Sequence, residues 1–216
     1  MMMNMFSTFD PCTGLLSLNW ASSLIIIIMF NYNYWLNYNN MMSLTLKISI
    51  LMKKELTIIM PESGSSIMFL SMSIFILINN LMGLIPYIFT SSSHMTFSLA
   101  LALPLWIALM LYGWINKTNY MFSHLVPTGT PGLLMPFMVL IETISNLIRP
   151  GSLSVRLTSN MIAGHLLMSL LGSSCELVLT LMLMMMFMML MLFETAVSLI
   201  QSYVFMILTT LYSSEI

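Results

Sequence analysis

Two stretches constrain this chain more than anything else in it. Residues 135–172 and 176–212 are long and predominantly apolar, and Pro150–Gly151 is the one obvious break in either. As continuous helices each would measure roughly 55 Å at 1.5 Å per residue. A hydrocarbon core is only about 30 Å thick, and roughly 20 helical residues cross it. Joined at Ser173 and Ser174, the two predict an antiparallel hairpin. It must incline by more than about 50° or lie partly along the membrane plane, outside the usual range of about 0–40°.

Composition agrees. The chain has 216 residues, 59% hydrophobic and 6% charged, whereas soluble globular proteins are about a quarter charged. A compact soluble body could not be coated with so few charges. The reading is therefore an all-α polytopic membrane protein forming a single membrane domain over 1–216. A net charge of −1 supplies no basic surface, so nucleic acid is not expected as a partner. Cys12 and Cys175 lie far apart without CxxC spacing, which suggests neither a disulfide framework nor a zinc site. The start MMMNMFSTFDPCTG lacks a basic n-region or an Arg-rich presequence and reads as mature protein. The 27 methionines read as apolar filler, since no spaced Met–His cluster accompanies them.

About five membrane-embedded helices and one surface amphipathic helix are expected. A transmembrane helix is predicted over 15–36, with Tyr32, Tyr34, Trp35 and Tyr38 at a headgroup boundary. Residues 41–60 carry Lys47 and Lys54 seven apart with Lys53 beside them, which suits a helix lying on the membrane surface. Three of the six basic residues fall there, marking the cytoplasm-like (matrix) side. Membrane helices follow over 66–90 and 95–116, each containing a proline, Pro86 and Pro104. Asn79 and Asn80 are expected to hydrogen-bond across helices. Residues 117–134 read as a loop because of their Pro and Gly density.

Ionisable groups in membrane helices cost some 2.5–3.5 kcal/mol on insertion scales, so each is a functional candidate. The hairpin holds Glu142, Arg149, Arg156, His165, Glu176 and Glu194. At about 100° per residue, Glu142, Asn146, Arg149, Arg156 and Asn160 share one side of the first long helix. His165 points to the opposite side, and Glu194, Ser198 and Gln201 share a face of the second helix. Ser145, Asn146 and Ser198 are equally explained as interhelical glue. Arg156 is not, because it has no acid or amide one turn N-terminal and only Asn160 one turn on, and an arginine stays protonated. Its anion is expected on another helix or another subunit. His165 and Glu194 exchange protons, and burial moves their pKa values readily. Titratable groups on adjoining helices with amides alongside suit a proton-accessible aqueous pocket.

The run HLVPTGTPGLLMPFMVLIETISNLIRPGSLSVRLTSNMIAGHLLMSLLG, followed by FETAVSLIQSYVFMILTTLY, resembles the signature of the ATPase A chain family, subunit a of mitochondrial F-type ATP synthase. The similarity covers essentially the whole chain, including the opening FSTFDP, and RLxxNMxAGH followed by ExAVxxIQxYVF is its most specific part. The methionine excess is similar to that of mitochondrially encoded animal proteins. What the resemblance implies is a proton-translocating stator subunit of the mitochondrial inner membrane, multi-pass, without catalysis or cofactor of its own. It would form two offset half-channels serving a rotating c-ring (the subunit c oligomer), beside a peripheral stalk and other membrane-sector subunits. Arg156 matches the arginine that meets each passing c carboxylate, and Asn160 the amide beside it. His165 and Glu194 match the pair lining the half-channel open to the intermembrane space, with Gln201 beyond. Glu142 matches the acid of the half-channel open to the matrix. The loop after Ser173 is shorter than in some relatives.

Three rival readings are weaker. A secondary transporter or antiporter would also bury Arg, His and Glu but usually shows inverted repeats, and no internal repeat is found. A purely structural subunit of another respiratory complex would leave Arg156 without a partner. An intramembrane metalloprotease needs an HExxH helix, which is absent; His94 and His124 are expected at interfaces, not as metal ligands.

Overall fold

A computed structural model describes residues 5–12, 18–24, 39–60, 63–85, 88–126, 129–173 and 180–214. Six α-helices account for most of them: α1 Asn40–Ile59, α2 Ser63–Gly83, α3 Met95–Asn116, α4 Thr118–His124, α5 Met135–Ser173 and α6 Thr180–Ser214. Short 3-10 turns cover Met5–Phe9, Leu18–Leu24, Ser91–Ser93 and Gly132–Leu134, and no strand occurs among the described residues. Among the described residues, four stretches are long and apolar enough to cross a membrane: Ser65–Gly83, Met95–Asn116, Gly132–Ser173 and Leu181–Ser214. The protein is an all-α polytopic membrane protein.

The helices meet where Ile76 of α2, Ala102 of α3, Leu153 and Leu157 of α5 and Phe205 of α6 pack into one buried cluster. Around it the interface is made of small hydroxyl residues. Ser154, Thr158, Ser198, Ser202, Thr209 and Thr210 are all buried. Each returns its hydroxyl to a carbonyl one turn back on its own helix, as in Ser198 Oγ to Thr195 O at 2.7 Å and Thr210 Oγ1 to Ile207 O at 2.8 Å. Satisfied within their own helix, they can line a close helix–helix contact without an orphaned donor.

At 39 and 35 residues, α5 and α6 run to about 58 Å and 52 Å. They pack antiparallel: Arg149 lies by Tyr212, Asn160 by Gln201 and Gly164 by Glu194, so partner positions fall in number as α5 rises. Pro150 does not end α5. Proline removes a backbone N–H and crowds the carbonyl four residues back, yet here it is buried, in a site shared with Leu105, Trp106 and Thr209. Packing on both sides holds the helix through it.

The structure departs from sequence expectation in several places. α2 ends at Gly83, short of residue 90, because a proline three residues on disfavours helix just before it. Residues 117–134 are not all loop: α4 fills Thr118–His124, the stretch that precedes every Pro and Gly of the segment. Asn79 and Asn80 are buried, but among the described residues they do not bond across helices; Asn79 Nδ2 and both amide atoms of Asn80 have no partner there. Of the helix expected over 15–36, only 18–24 is described, and it is a 3-10 turn; the aromatic cluster at 32–38, Pro86, Cys175 and Glu176 lie outside the described residues.

Candidate functional site

α5 carries the site, and its surroundings divide it into three zones. Near its start, Glu142, Asn146 and Arg149 line a cavity of about 320 Å³ closed by Trp106 and Trp114 of α3, His124 of α4 and Tyr212 of α6. Glu142 Oε1 and Arg149 Nη2 approach to 3.9 Å, with both side chains about a quarter to a third exposed. The Arg149 guanidinium also lies 4.9 Å from the centre of the Tyr212 ring, within cation–π range.

Near the other end of α5, His165 and Ser169 line a separate cavity of about 600 Å³. Its remaining walls come from Phe187 and Met191 of α6, from the 83–90 segment, and from Ser7, Phe9, Asp10 and Asn19. The Phe9 ring meets His165 edge-on, with centroids 6.2 Å apart, and His165 Nε2 is buried without a partner among the described residues. The two cavities have no lining residue in common. Glu142 and His165 are roughly 35 Å apart along the helix axis.

Arg156 stands between them and is exposed. Among the described residues no acidic side chain pairs with it. Its outward neighbours along α5, Ser152, Ser159 and Ala163, are exposed and small, which leaves room for another helix to approach.

Asn160 turns the other way. Its Nδ2 donates to Gln201 Oε1 at 3.2 Å across the helix pair. Gln201, Ser198 and Glu194 form a buried line along one face of α6, at 5%, 1% and 5% exposure. Glu194 does not line the His165 cavity; it lies one turn beyond Met191, which does. Its carboxylate is pressed against Gly164, the residue preceding His165, and a Cβ at that position would overlap it. The polar stripe expected on α5 thus splits three ways: Glu142, Asn146 and Arg149 into one cavity, Arg156 outward, Asn160 inward. Helical spacing sets the angle of each side chain, but only the neighbours decide what it meets.

Some contributors were beyond sequence reading. His124 joins the Glu142 cavity, and Asp10 and Asn19 join the His165 cavity, through contacts between distant segments. Gly164 carried a signal inside the AGH motif, but not the identity of the group resting on it. No cluster of three or more His, Cys, Asp or Glu able to hold a metal occurs among the described residues.

One cavity faces the basic end of the molecule. Tyr203 of α6 donates to Glu55 of α1 at 2.8 Å, and Ser213 donates to Met60 Sδ at 2.7 Å. A further cavity of about 510 Å³ brings Met60, Lys117 and Ser213 together. The ends of α1, α3 and α6 therefore gather with Tyr212 near the Glu142 cavity, away from His165.

Comparison with known proteins gives a consistent result. The family model described as ATP synthase A chain matches residues 16–214. ATP synthase subunit a of Anopheles gambiae is 54% identical, and those of Aedes aegypti and Drosophila melanogaster are each 53% identical. In all three the alignment covers the whole of both chains.

Proposed function

This chain belongs to the ATP synthase A chain family, whose members are proton-translocating stator subunits, and we propose that its two cavities are offset half-channels serving a rotating c-ring. The observation that carries this reading is Arg156: exposed, unpaired among the described residues, and placed between two cavities at opposite ends of one helix. A fixed cation at membrane depth wants an anion, and the small residues beside it suit an anion delivered by a passing helix.

Neither cavity alone crosses the membrane, so a proton boards the ring through one and leaves by the other. The His165 cavity opens to the intermembrane space. Inward from it, Glu194, Ser198 and Gln201 lead along α6 to Asn160, one turn from Arg156. The Glu142 cavity opens to the matrix, the side marked by Lys47, Lys53, Lys54 and Lys117. Arg156 favours the ionised form of each ring carboxylate it meets. At a contact distance of about 4 Å and an effective dielectric near 20, that attraction is of order 4 kcal/mol before desolvation. It unloads the proton, releases the site again, and repels a proton taking the direct route between cavities. Each charge moved gains about 2.3 kcal/mol per 100 mV.

In this scheme the chain catalyses no chemical step itself and works beside the peripheral stalk and other membrane-sector subunits. Its setting is the mitochondrial inner membrane, a placement supported by the insect relatives. The secondary-transporter reading has no support from the family match.

Replacing Arg156 by Ala tests the reading in the assembled complex. ATP-driven proton pumping is expected to fall by about 100-fold or more, since the lost attraction is of order 4 kcal/mol, while assembly stays near parent level. Normal pumping would remove Arg156, and the half-channel scheme with it.

A further inference from the structure

The N-terminal segment supplies one wall of the His165 cavity, and with it a second titratable side chain. The 3-10 turn Met5–Phe9 packs onto α5 and sets the Phe9 ring edge-on to His165. The next residue, Asp10, lines the same cavity and is exposed. Its position is held by its own surroundings: Cys12 N–H donates to its carboxylate at 3.1 Å, and Asn19 Nδ2 donates to its carbonyl at 3.4 Å. Across the cavity, His165 Nε2 is buried without a protein partner among the described residues.

The other groups facing this space do not compete. Among the described residues, the wall formed by 83–85 and 88–90 and the α6 wall contribute Thr90 and apolar side chains but nothing that titrates. His94 packs on the Phe89 ring with centroids 5.2 Å apart and does not line the cavity. Glu194 rests against Gly164, and Cys12 stands beside Asp10, both outside the lining. Among the described residues, Asp10 and His165 are the two titratable groups of a cavity of about 600 Å³. That volume is ample for bridging water, which needs only a few tens of Å³ per molecule and polar partners at hand.

We propose that Asp10 is a proton-exchanging residue at the mouth of the His165 cavity, collecting protons from the aqueous phase and passing them through water to His165. The inference rests on the half-channel reading above and extends it to a residue outside the hairpin. In the step an O–H bond forms on the Asp10 carboxylate and breaks again as the proton moves to water. An N–H bond then forms on neutral His165, and no electrons are transferred.

A carboxylate collector matters most when protons are scarce. In the whole complex in membrane vesicles, potential-driven proton flux is therefore measured against pH on the Asp10 side. Asp10→Asn is expected to lose about threefold or more at about pH 8 and little at about pH 6, with Asp10→Glu restoring the parent profile. Parent-like flux of Asp10→Asn at every pH would overturn the proposal, as would a pH-independent loss that Asp10→Glu does not restore. If Asp10→Asn fails to assemble, the wild-type Asp10 is tested in place. A cationic methanethiosulfonate is attached to Cys12 in a Cys175→Ser background, with Cys12→Ser as control. Slowed flux at high pH, reversed by a reductant, is the expected result, and unchanged flux on full labelling overturns the proposal. Arg156→Ala run alongside separates the two levels. If it is inactive while Asp10→Asn behaves as parent, only the role of Asp10 falls; if it pumps normally, the half-channel reading falls.

Discussion

Of the two cavities along α5, the one at Glu142 holds its acid against a fixed cation, whereas among the described residues no Lys or Arg lines the one at His165. The first is the smaller, and Trp106, Trp114 and Tyr212 wall it. The second is wider and takes part of its wall from the far N-terminal segment. A proton reaching Glu142 meets a group whose counter-charge stays put, because Arg149 is anchored over Tyr212. On the half-channel reading, a proton reaching His165 would change the charge of a site with no resident cation among the described residues, and Glu194, the acid proposed to follow, is buried between helices. On the half-channel reading proposed above, the two ends of one helix would handle the same ion differently, by standing compensation at one end and by relay at the other.

That contrast can be broken by single substitutions. The largest effect is expected from Gly164→Ala. The added Cβ overlaps the Glu194 carboxylate, which is the far end of a flexible side chain and moves before the helices do. Proton flux should fall about ten- to a hundredfold, the scale on which displacements of about 1 Å act on reacting groups. Assembly should stay near parent level, and native-gel abundance measured beside flux checks both. Unchanged flux would mean that the position of Glu194 is immaterial to the relay.

Glu142→Gln should act less strongly, slowing flux by about tenfold or less, because Arg149 and Tyr212 keep the cavity in shape. Its signature is the side of the membrane. Varying pH on the matrix face should alter the response of this variant, while varying it on the opposite face should not. The reverse holds for Gly164→Ala. Identical responses to both faces would dissolve the distinction between the cavities.

The smallest effect concerns Cys12. A hydrogen bond from its thiol to Asp10, and the charge of that carboxylate, push the thiol above its ordinary pKa. The thiolate is the form that reacts, so the raised pKa slows alkylation at about pH 8. Asp10→Asn removes the charge, lowers the thiol pKa and should speed labelling by about two- to threefold. An unaltered rate would show that Asp10 does not act electrostatically at the cavity mouth.

Periodicity and hydropathy made α2, α3, α5 and α6 legible, because burying an apolar run in lipid demands helix whatever the neighbours are. They also made the ionisable positions stand out, since charge is costly there. What they could not supply was direction. Asn160 and Arg156 are one turn apart, yet one bonds to Gln201 and the other looks outward. The choice depends on where α6 packs, which no local pattern encodes. Asp10 and His165 lie more than 150 residues apart in sequence, and a wall shared over that distance follows from tertiary packing alone. α4 escaped notice for a simpler reason: the Pro and Gly of its segment cluster after it.

The length of α5 has a mechanical consequence. A rod of about 58 Å confined to a layer about 30 Å thick would lie closer to the membrane plane than to its normal. More of the distance between Glu142 and His165 would then run sideways than across. An ion that enters at one cavity and leaves at the other must be carried laterally, parallel to the surface, by something that itself moves. On the proposed reading, the slope of one helix would act as a gear, turning a potential drop directed through the membrane into displacement around an axis perpendicular to it.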